Sequence, residues 1–263
     1  MYAGKDVWNR VPTIQYMENS LIFELFEGLP RQGPGADACT EKMFSLLPDV
    51  PAAPKILDIG CGTGVQTLAL ATFARDAVIT AIDVYLPYLD TLKKNSDERG
   101  LGQRITTKCT SMDDLPFGPE FFDIIWAEGS VFVMGFFEGI RYWKQFLKTG
   151  GYLALSELVW FTDRPSPGTR EFFGQQYPAM TTVRGNEDKI NAAGYTLLSS
   201  FNLPDSAWWS NYYDPFEIRL AEFENIYAGN DEARALVEVS RKEISLFREH
   251  SDEYGYRFFL LQK

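Results

Sequence analysis

The sequence predicts an α/β fold with a doubly wound, mostly parallel β-sheet. Three observations support this prediction. Short apolar runs alternate with helical patterns from residue 55 onward, a glycine-rich turn follows the first run directly, and two more strand-like runs lie near the carboxyl terminus. Strands separated by helices need right-handed crossover connections, which place consecutive strands parallel with helices on both faces.

The composition is that of a globular chain without a membrane-spanning segment. Of the 263 residues, 45% are hydrophobic and 23% are charged, which is enough apolar material to build a core. No apolar run approaches the ~18 residues that a spanning helix needs. Because no linker interrupts the pattern, we predict one domain over residues 1–263, and because no export signal opens the chain, we expect it in the cytoplasm.

The charge and the cysteines exclude several classes of partner. Lys and Arg number 25 against 36 Asp and Glu, so the net charge is −11, and no basic cluster is present to neutralise phosphates. We therefore expect neither nucleic acid nor an anionic membrane as a partner. Three widely spaced cysteines, Cys39, Cys61 and Cys109, predict no disulfide framework and no metal site.

Residues 1–50 predict an N-terminal helical cap. Apolar side chains recur at helical spacing over 13–28, and on this helix Tyr16 and Phe23 are candidates to close one side of a site. A turn-rich segment follows over 31–35, and a second helix is predicted over 36–47. Prolines between residues 48 and 54 then precede the first strand.

Residues 55–160 predict the cofactor-binding core, in which strands and helices alternate. Gly100 is expected to end one helix, and Gly150 and Gly151 to open the last strand of this part. The predicted strands cover 55–59, 78–82, 105–109, 122–126 and 152–158, and the predicted helices cover 64–74, 86–99 and 137–147.

Residues 161–263 predict an elaboration on the substrate side of the domain. Strands are expected over 195–203 and 256–262, with an aromatic loop and two amphipathic helices between them. The loop carries Trp208, Trp209, Tyr212 and Tyr213. The apolar helices could serve as a cap over the site or as the interface of a homodimer.

The glycine-rich turn, Asp58-Ile59-Gly60-Cys61-Gly62-Thr63-Gly64, lies where a strand passes into a helix. Glycines there permit a sharp turn and the close approach of a ligand. A dinucleotide-binding loop would need a small residue where Val65 stands. The acid at Asp58 would disfavour a pyrophosphate and would suit a ligand with an ammonium group.

A second acid, Asp83, ends the second predicted strand. A carboxylate at this place can accept hydrogen bonds from both hydroxyls of a ribose. The alternative is that Asp83 only caps the next helix and that the glycines form an ordinary tight turn.

The chain resembles the class I S-adenosylmethionine-dependent methyltransferases. Residues 56–64 match the family's first motif, and the match continues through Asp83, 111–117, 122–125 and 147–153. Within the family the chain is most similar to the small-molecule group that includes the ubiquinone and menaquinone C-methyltransferases. The resemblance implies a Rossmann-like sheet of seven strands, one of them antiparallel, and S-adenosylmethionine as the cofactor.

The resemblance also implies where the cofactor is held. Asp58 and the backbone of the glycine turn would hold the methionine end, Asp83 the ribose, and Met112 the adenine. Whether Asp113 or Ser111 accepts a hydrogen bond from the adenine amine remains open. The predicted cofactor-binding residues are Gln32, Gly33, Asp58, Gly60, Cys61, Gly62, Asp83, Ser111, Met112, Asp113 and Glu128.

Candidate catalytic and substrate residues follow from the strand ends, because ligands bind at the carboxyl edge of such sheets. Glu128, after the fourth strand, is the catalytic candidate. The alternative is that it is an acid at a helix N-terminus, where the helix dipole favours a negative charge. Glu157 and Trp160 end the fifth strand and are the next candidates. The predicted substrate-binding residues are Trp160, Trp208, Trp209 and Tyr212, whose rings could instead pack the helices onto the sheet.

The predicted function is the transfer of a methyl group from S-adenosylmethionine to a small-molecule acceptor that is neutral or cationic and partly aromatic or apolar. One alternative is a module that senses S-adenosylmethionine or has lost catalysis. A second alternative is a nicotinamide-dependent oxidoreductase, against which Val65 and Asp58 argue.

Overall fold

The computed structural model describes residues 20–263. The predicted first helix is therefore described only from Ser20, and Tyr16 lies outside the described residues. None of the helices in the described part of the chain is long and apolar enough to cross a membrane.

The sheet has seven strands along its main path, in the order β3-β2-β1-β4-β5-β8-β7. Strand β8 runs antiparallel to both of its neighbours, and the other pairs along the path are parallel. The strands are β1 Lys55–Ile59, β2 Val78–Asp83, β3 Ile105–Cys109, β4 Phe122–Glu128, β5 Leu147–Trp160, β6 Thr181–Thr182, β7 Thr196–Asn202 and β8 Tyr254–Gln262. The short β6 pairs with the end of β5. The predicted fold class is confirmed.

The helices flank this sheet and extend its carboxyl edge. They are α1 Ser20–Phe26, α2 Asp37–Ser45, α3 Val65–Phe73, α4 Leu86–Glu98, α5 Phe136–Trp143, α6 Pro167–Gln176, α7 Val183–Ala192, α8 Asp205–Trp208, α9 Asp214–Ile226 and α10 Asp231–His250. A π-helical turn, Trp209–Tyr213, joins α8 to α9. The helices α6 and α7 were not predicted from the sequence.

The alternation of side chains along the central strands supplies both faces of the sheet with core residues. Ile56 of β1 packs into a cluster with residues of α2, α3 and α4. Leu57 and Ile59 pack on the other face with residues of α5 and α7. Because β1 is buried on both faces, its sequence is an almost continuous apolar run. The charged side chain of Asp58 within this run is therefore an exception that needs a reason.

A third apolar cluster joins the N-terminal helix to the C-terminal helices. Leu21 and Leu25 of α1 pack with residues of α6, α9 and α10. This cluster lies beside the sheet core and contains much of the aromatic material of the chain, including Trp208 and Tyr213.

The prediction of an aromatic loop over 208–213 was wrong, since these residues are helical. The ring of Trp208 stacks on Phe247 of α10 at 4.2 Å between centroids, and Tyr213 is fully buried. Packing of large rings against α10 and β8 replaces the exposed turn that local pattern suggested. Tertiary contacts often override local propensity in this way.

Two element boundaries also differ from the predictions. The helix predicted over 137–147 ends at Trp143 and passes through a short 3₁₀ turn, because Leu147 already pairs with Phe122 in the sheet. Strand β5 continues to Trp160, because β8 pairs with it from Tyr152 to Trp160. The extension places the end of β5 against α6 and the third apolar cluster, where Trp160 contacts Phe173.

Two glycines with positive φ allow the packing at the glycine turn to be tested. Gly64 has a φ of 80°, and a Cβ there would lie 2.2 Å from Cδ1 of the buried Leu92. Gly100 has a φ of 69°, but a Cβ there would meet nothing within 4 Å. We expect Gly100→Ala to cost about 1–2 kcal/mol from the left-handed backbone alone, and Gly64→Ala to cost roughly 2–5 kcal/mol because overpacking is added.

Urea unfolding of the two variants beside the wild type measures this difference. Equal losses of unfolding free energy would contradict the close packing of the turn against α4.

Candidate active site

A cavity, called the larger cavity below, lies at the carboxyl ends of β1, β2 and β4. Its volume is about 510 Å³, within the range of roughly 300–1,000 Å³ that is typical of ligand pockets. The strand order reverses between β1 and β4, which is where open α/β sheets bind ligands. Its walls include Phe23, Gln32, Gly33, Gly60, Cys61, Gly62, Asp83, Ser111, Met112, Asp113, Glu128, Gly129 and Phe132.

The glycine turn forms the floor of this cavity and requires its glycines. Gly60 and Gly62 have φ values of 69° and 54°. A Cβ on Gly60 would lie 2.5 Å from Cβ of Ser130, and one on Gly62 would lie 2.7 Å from Oε1 of Gln32. The backbone N–H groups of Gly60 and Cys61 both donate to the carbonyl of Ile82 at 2.9 Å. The turn is thus fixed to the end of β2 and is closely packed from above.

Asp83 reaches from the end of β2 into the cavity wall. Its Oδ2 accepts a hydrogen bond from the Gly62 N–H at 2.9 Å, and its Oδ1 accepts one from the Tyr85 N–H at 3.0 Å. Burial raises the pKa of this carboxyl, and the backbone donors oppose that rise. The N-cap position of α4 is occupied by Tyr85. Asp83 therefore links the two strand ends, and each oxygen keeps a lone pair for a ligand.

Asp58 lies beneath the turn and does not line the cavity. Its side chain has no solvent exposure, its Oδ2 accepts from the Thr67 hydroxyl at 2.5 Å, and its Oδ1 has no hydrogen-bond partner. Burial raises the pKa of this carboxyl to about 7, against the opposing effect of Thr67. The structure thus separates Asp58 from the other predicted cofactor residues, which line the cavity.

Glu128 is held by three donors. Its Oε1 accepts from the Thr40 hydroxyl at 2.6 Å and from Nε1 of Trp126 at 2.9 Å, and its Oε2 pairs with Arg31 at 3.3 Å. Arg31 also pairs with Asp37 at 2.8 Å. Glu128 is the last residue of β4, and no helix begins at it. Its side chain is only 5% exposed, and these contacts connect the N-terminal cap to the sheet.

Gln32 covers the glycine turn from the N-terminal side. Its Oε1 accepts from both the N–H and the hydroxyl of Thr63, each at 3.0 Å. Its Nε2 donates to the carbonyl of Leu29 at 3.3 Å. The neighbouring Gly33 lines the same cavity. The turn-rich segment that the sequence singled out is therefore part of the site.

The opposite end of the cavity is formed by residues 111–113. The Ser111 hydroxyl donates to Oδ1 of Asp113, and the Met112 carbonyl accepts from Nε1 of Trp143 at 3.0 Å. Since the proton of Ser111 is engaged by Asp113, the carboxylate of Asp113 is the stronger acceptor left for a ligand.

A smaller cavity of about 300 Å³ adjoins the larger one. The two share Gln32, Gly33, Pro34, Gly129 and Phe132 as walls. The rest of the smaller cavity is largely aromatic and aliphatic, with a few polar groups: Ile22, Leu25, Phe26, Leu158, Phe173, Gln176, Tyr177, Trp208, Tyr212, Leu236, Val239, Ser240, Glu243 and Tyr256.

The four predicted substrate residues do not all face this space. Trp208 and Tyr212 line the smaller cavity. Trp160 packs on Phe173 at 5.6 Å between ring centroids, and Trp209 packs under the guanidinium of Arg248 at 4.9 Å. Neither of these two tryptophans lines the larger or the smaller of these two cavities.

Sequence reasoning missed Phe132, Tyr177, Glu243 and Tyr256 in these walls. One signal was available for Glu243, because it follows Leu236 and Val239 at helical spacing. A glutamate on the apolar face of an amphipathic helix is unusual, and it marks a place where that face meets a cavity.

Residues 56–151 match a family model described as a methyltransferase domain. The matched segment contains the glycine turn, Asp83, residues 111–113 and Glu128, and it supplies most of the residues that line the larger cavity. The matched segment is a methyltransferase domain, and the protein is an S-adenosylmethionine-dependent methyltransferase. S-adenosylmethionine is the methyl donor of this family, and the methyltransferase resemblance is confirmed.

Individual relatives agree with this assignment. The 27-O-demethylrifamycin SV methyltransferase of Amycolatopsis mediterranei is 26% identical over 233 residues, which are 84% of this chain and 80% of that protein. The crystal structure of a methyltransferase from Geobacter sulfurreducens with S-adenosylhomocysteine has a TM-score of 0.76 at 17% identity, over 91% of this chain and 96% of that one.

The fold alone is compatible with other reactions. The crystal structure of the cyclase SpnF matches this methyltransferase with a TM-score of 0.71 at 22% identity, over 95% of each chain. The site residues, and not the sheet, therefore have to carry any argument about the acceptor.

The buried carboxyl of Asp58 makes the stability of the methyltransferase depend on pH. Because its pKa is raised from 3.8 to about 7, the folded state holds a proton that the unfolded state has lost, and stability falls as pH rises between about 4 and 7. We expect Asp58→Asn to remove this fall. The free energy of unfolding of the variant should gain on the wild type by up to about 4 kcal/mol across that interval.

Urea unfolding at several pH values measures the slope, separately from any constant loss due to the Thr67 hydrogen bond. Asp90→Asn, at an exposed position of α4, is the matched control and should run parallel to the wild type. A parallel curve for Asp58→Asn would contradict the burial of an uncompensated carboxyl.

Proposed function

We propose that this methyltransferase transfers its methyl group to a hydroxyl oxygen of a small, neutral and largely apolar molecule bound in the smaller cavity. The observation that carries the proposal is the shared wall between the two cavities. Gly129 and Phe132 border both spaces, so a donor in one cavity can meet an acceptor in the other without crossing solvent.

The residues of the larger cavity fit S-adenosylmethionine. The positive-φ glycines leave the floor free of side chains, and Asp83 offers acceptors for the two ribose hydroxyls. At the other end Met112 would pack on the adenine and Asp113 would accept from its amine. When bound, S-adenosylmethionine supplies an electrophilic methyl group on a sulfonium.

The methionine end would lie between the glycine turn and the N-terminal cap. Gln32 and Gly33 line this part of the cavity, and Glu128 offers a fixed negative charge for an ammonium group. The three donors that hold Glu128 fix its position, which suits a group that orients a ligand. We therefore assign Glu128 to cofactor binding, and Asp58 to the support of the turn from below.

The walls of the smaller cavity favour a neutral acceptor without phosphate or carboxylate groups. Among the described residues no Lys or Arg lines this cavity, whereas Glu243 does. The stacked rings of Phe26 and Tyr212, at 6.4 Å between centroids, give it flat apolar walls. An oxygen acceptor is supported by the curated rifamycin relative, whose name refers to an O-demethylated substrate.

Such a site accelerates methyl transfer mainly by orienting the acceptor relative to the methyl group. Holding the acceptor oxygen in line with the methyl group converts a bimolecular step into one within a complex, which can be worth roughly 7–11 kcal/mol. The acidic net charge of −11 further supports small molecules as acceptors in place of nucleic acids. The cytoplasm remains the proposed place of action.

The proposal is tested by following labelled methyl groups from S-adenosylmethionine into a fractionated metabolite extract, and by titrating S-adenosylhomocysteine into the protein. We expect label in a fraction of apolar compounds, as a new methyl ether. Asp83→Ala should weaken S-adenosylhomocysteine about 10- to 100-fold, because hydrogen bonds to a charged acceptor are lost.

Asp90→Ala, which removes an exposed carboxyl from α4, is the matched control and should bind like the wild type. Tight binding of S-adenosylhomocysteine without label in any fraction would favour the sensor alternative. Unchanged binding by the Asp83 variant would contradict the assignment of the cavity.

A further inference from the structure

Two carboxyl groups beside the smaller cavity each lie near a different tyrosine, and their hydrogen bonding differs. Glu243 of α10 lines the cavity, and its Oε1 accepts from the Tyr213 hydroxyl at 2.9 Å. Tyr213 is fully buried and lines neither cavity in the described part of the chain. This first pair is satisfied, and its phenol is not available to a ligand.

The second carboxyl, Glu157 of β5, is unsatisfied. Its side chain is 1% exposed, and neither of its oxygens has a hydrogen-bond partner of regular geometry. Leaving a buried carboxyl without a partner is expensive, and such groups are rare outside functional sites. Packing gives no reason for an acid here, because Leu155 and Val159 on the same face of β5 are apolar and buried.

Tyr177 connects Glu157 to the acceptor space. It follows the last residue of α6, is buried, and lines the smaller cavity. Its ring meets that of Phe132 edge to face at 6.1 Å between centroids, and Phe132 borders both cavities. The phenol also lies close enough to Glu157 to lower the pKa of the carboxyl as a donor would.

We propose that Tyr177 is the catalytic residue that takes the proton of the acceptor hydroxyl, and that Glu157 acts through it as the final proton acceptor. This inference rests on the proposed function, and it restricts the acceptor to alcohols and phenols whose oxygen needs help to ionise. Thiols, which ionise on their own near neutral pH, would not need the pair.

Two proton transfers accompany the methyl transfer. The acceptor O–H proton passes to the phenol oxygen of Tyr177 while the phenol proton passes to the carboxylate of Glu157. The acceptor oxygen forms its bond to the methyl carbon as the sulfur–carbon bond breaks, and that electron pair stays on sulfur. The products are a methyl ether and S-adenosylhomocysteine, and Glu157 then releases its proton to solvent.

The groups around Glu157 set the pH at which it can act. Burial raises the pKa of this carboxyl to about 8, and Tyr177 from α6 and Lys189 from α7 oppose that rise. From β8, Tyr256 lies near the carboxyl, while Arg257 donates to Asn202 and Ser200 instead. Since only the ionised carboxyl accepts a proton, turnover should be low below about pH 8 and should rise as the pH passes through that value.

The test compares oxygen with sulfur acceptors. Wild type, Glu157→Gln and Tyr177→Phe are supplied with labelled S-adenosylmethionine and with either 2-naphthol or 2-naphthalenethiol, across a range of pH. We expect both variants to lose methyl transfer to the naphthol at least about tenfold and to keep transfer to the thiol within about twofold. The rise of turnover with pH should disappear in Glu157→Gln.

Glu243→Gln is the matched control, because it removes the charge of the satisfied carboxyl in the same cavity. This variant should change the KM of both acceptors. Its ratio of oxygen to sulfur transfer and its pH profile should be those of the wild type. Equal loss of oxygen and sulfur transfer in Glu157→Gln and Tyr177→Phe, or an unchanged ratio, would overturn the assignment.

The two proposals fail in distinguishable ways. A wild type that methylates the naphthol as readily as Glu157→Gln and Tyr177→Phe do overturns the role of the pair and leaves the proposed function standing. A wild type that binds S-adenosylhomocysteine but labels neither probe nor any fraction of the metabolite extract overturns the proposed function, and with it the assignment of Tyr177 and Glu157.

Discussion

The fixed glycine turn at the end of β1 is the constraint on which the rest of the site depends. Hydrogen bonds to the carbonyl of Ile82 and to the carboxylate of Asp83 tie the turn to β2. Ser130 and Gln32 approach it so closely that no side chain fits on Gly60 or Gly62. A cavity with a bare backbone floor results at the point where the strand order reverses, and the other predicted cofactor residues are arranged around that floor.

The N-terminal cap completes this cavity because a buried charge cluster holds it to the sheet. Arg31 and Thr40 come from the cap, and Trp126 and Glu128 come from β4. Such a cluster stabilises one arrangement, since separating its members would leave charges unpaired in a dry environment. The same segment supplies Gln32 and Gly33 to both cavities, so the position of the cap also defines where donor and acceptor spaces meet.

Local sequence patterns predicted the sheet core and the larger cavity well, and the acceptor side poorly. Strands β1 and β3 have the predicted bounds, because buried strands flanked by turns leave clear apolar runs. The roles of Asp58 and Trp209 could not be read in this way. The first depends on Thr67 and the path of the turn beneath the cavity, and the second on a π-helical turn that rotates the ring away from it. Glu157 was visible as an acid at a strand end, but its burial beside Tyr177 without a hydrogen bond of regular geometry belongs to the three-dimensional packing alone.

We propose that a nucleoside bearing an amino acid fills the larger cavity with its sulfur directed at the wall of Gly129 and Phe132. The most direct measurement is a crystal structure of the protein with S-adenosylhomocysteine. The account predicts the ribose hydroxyls on Asp83, the adenine beside Met112, and the sulfur at the shared wall of the two cavities. An empty cleft, or a ligand whose sulfur is directed away from the smaller cavity, would contradict it.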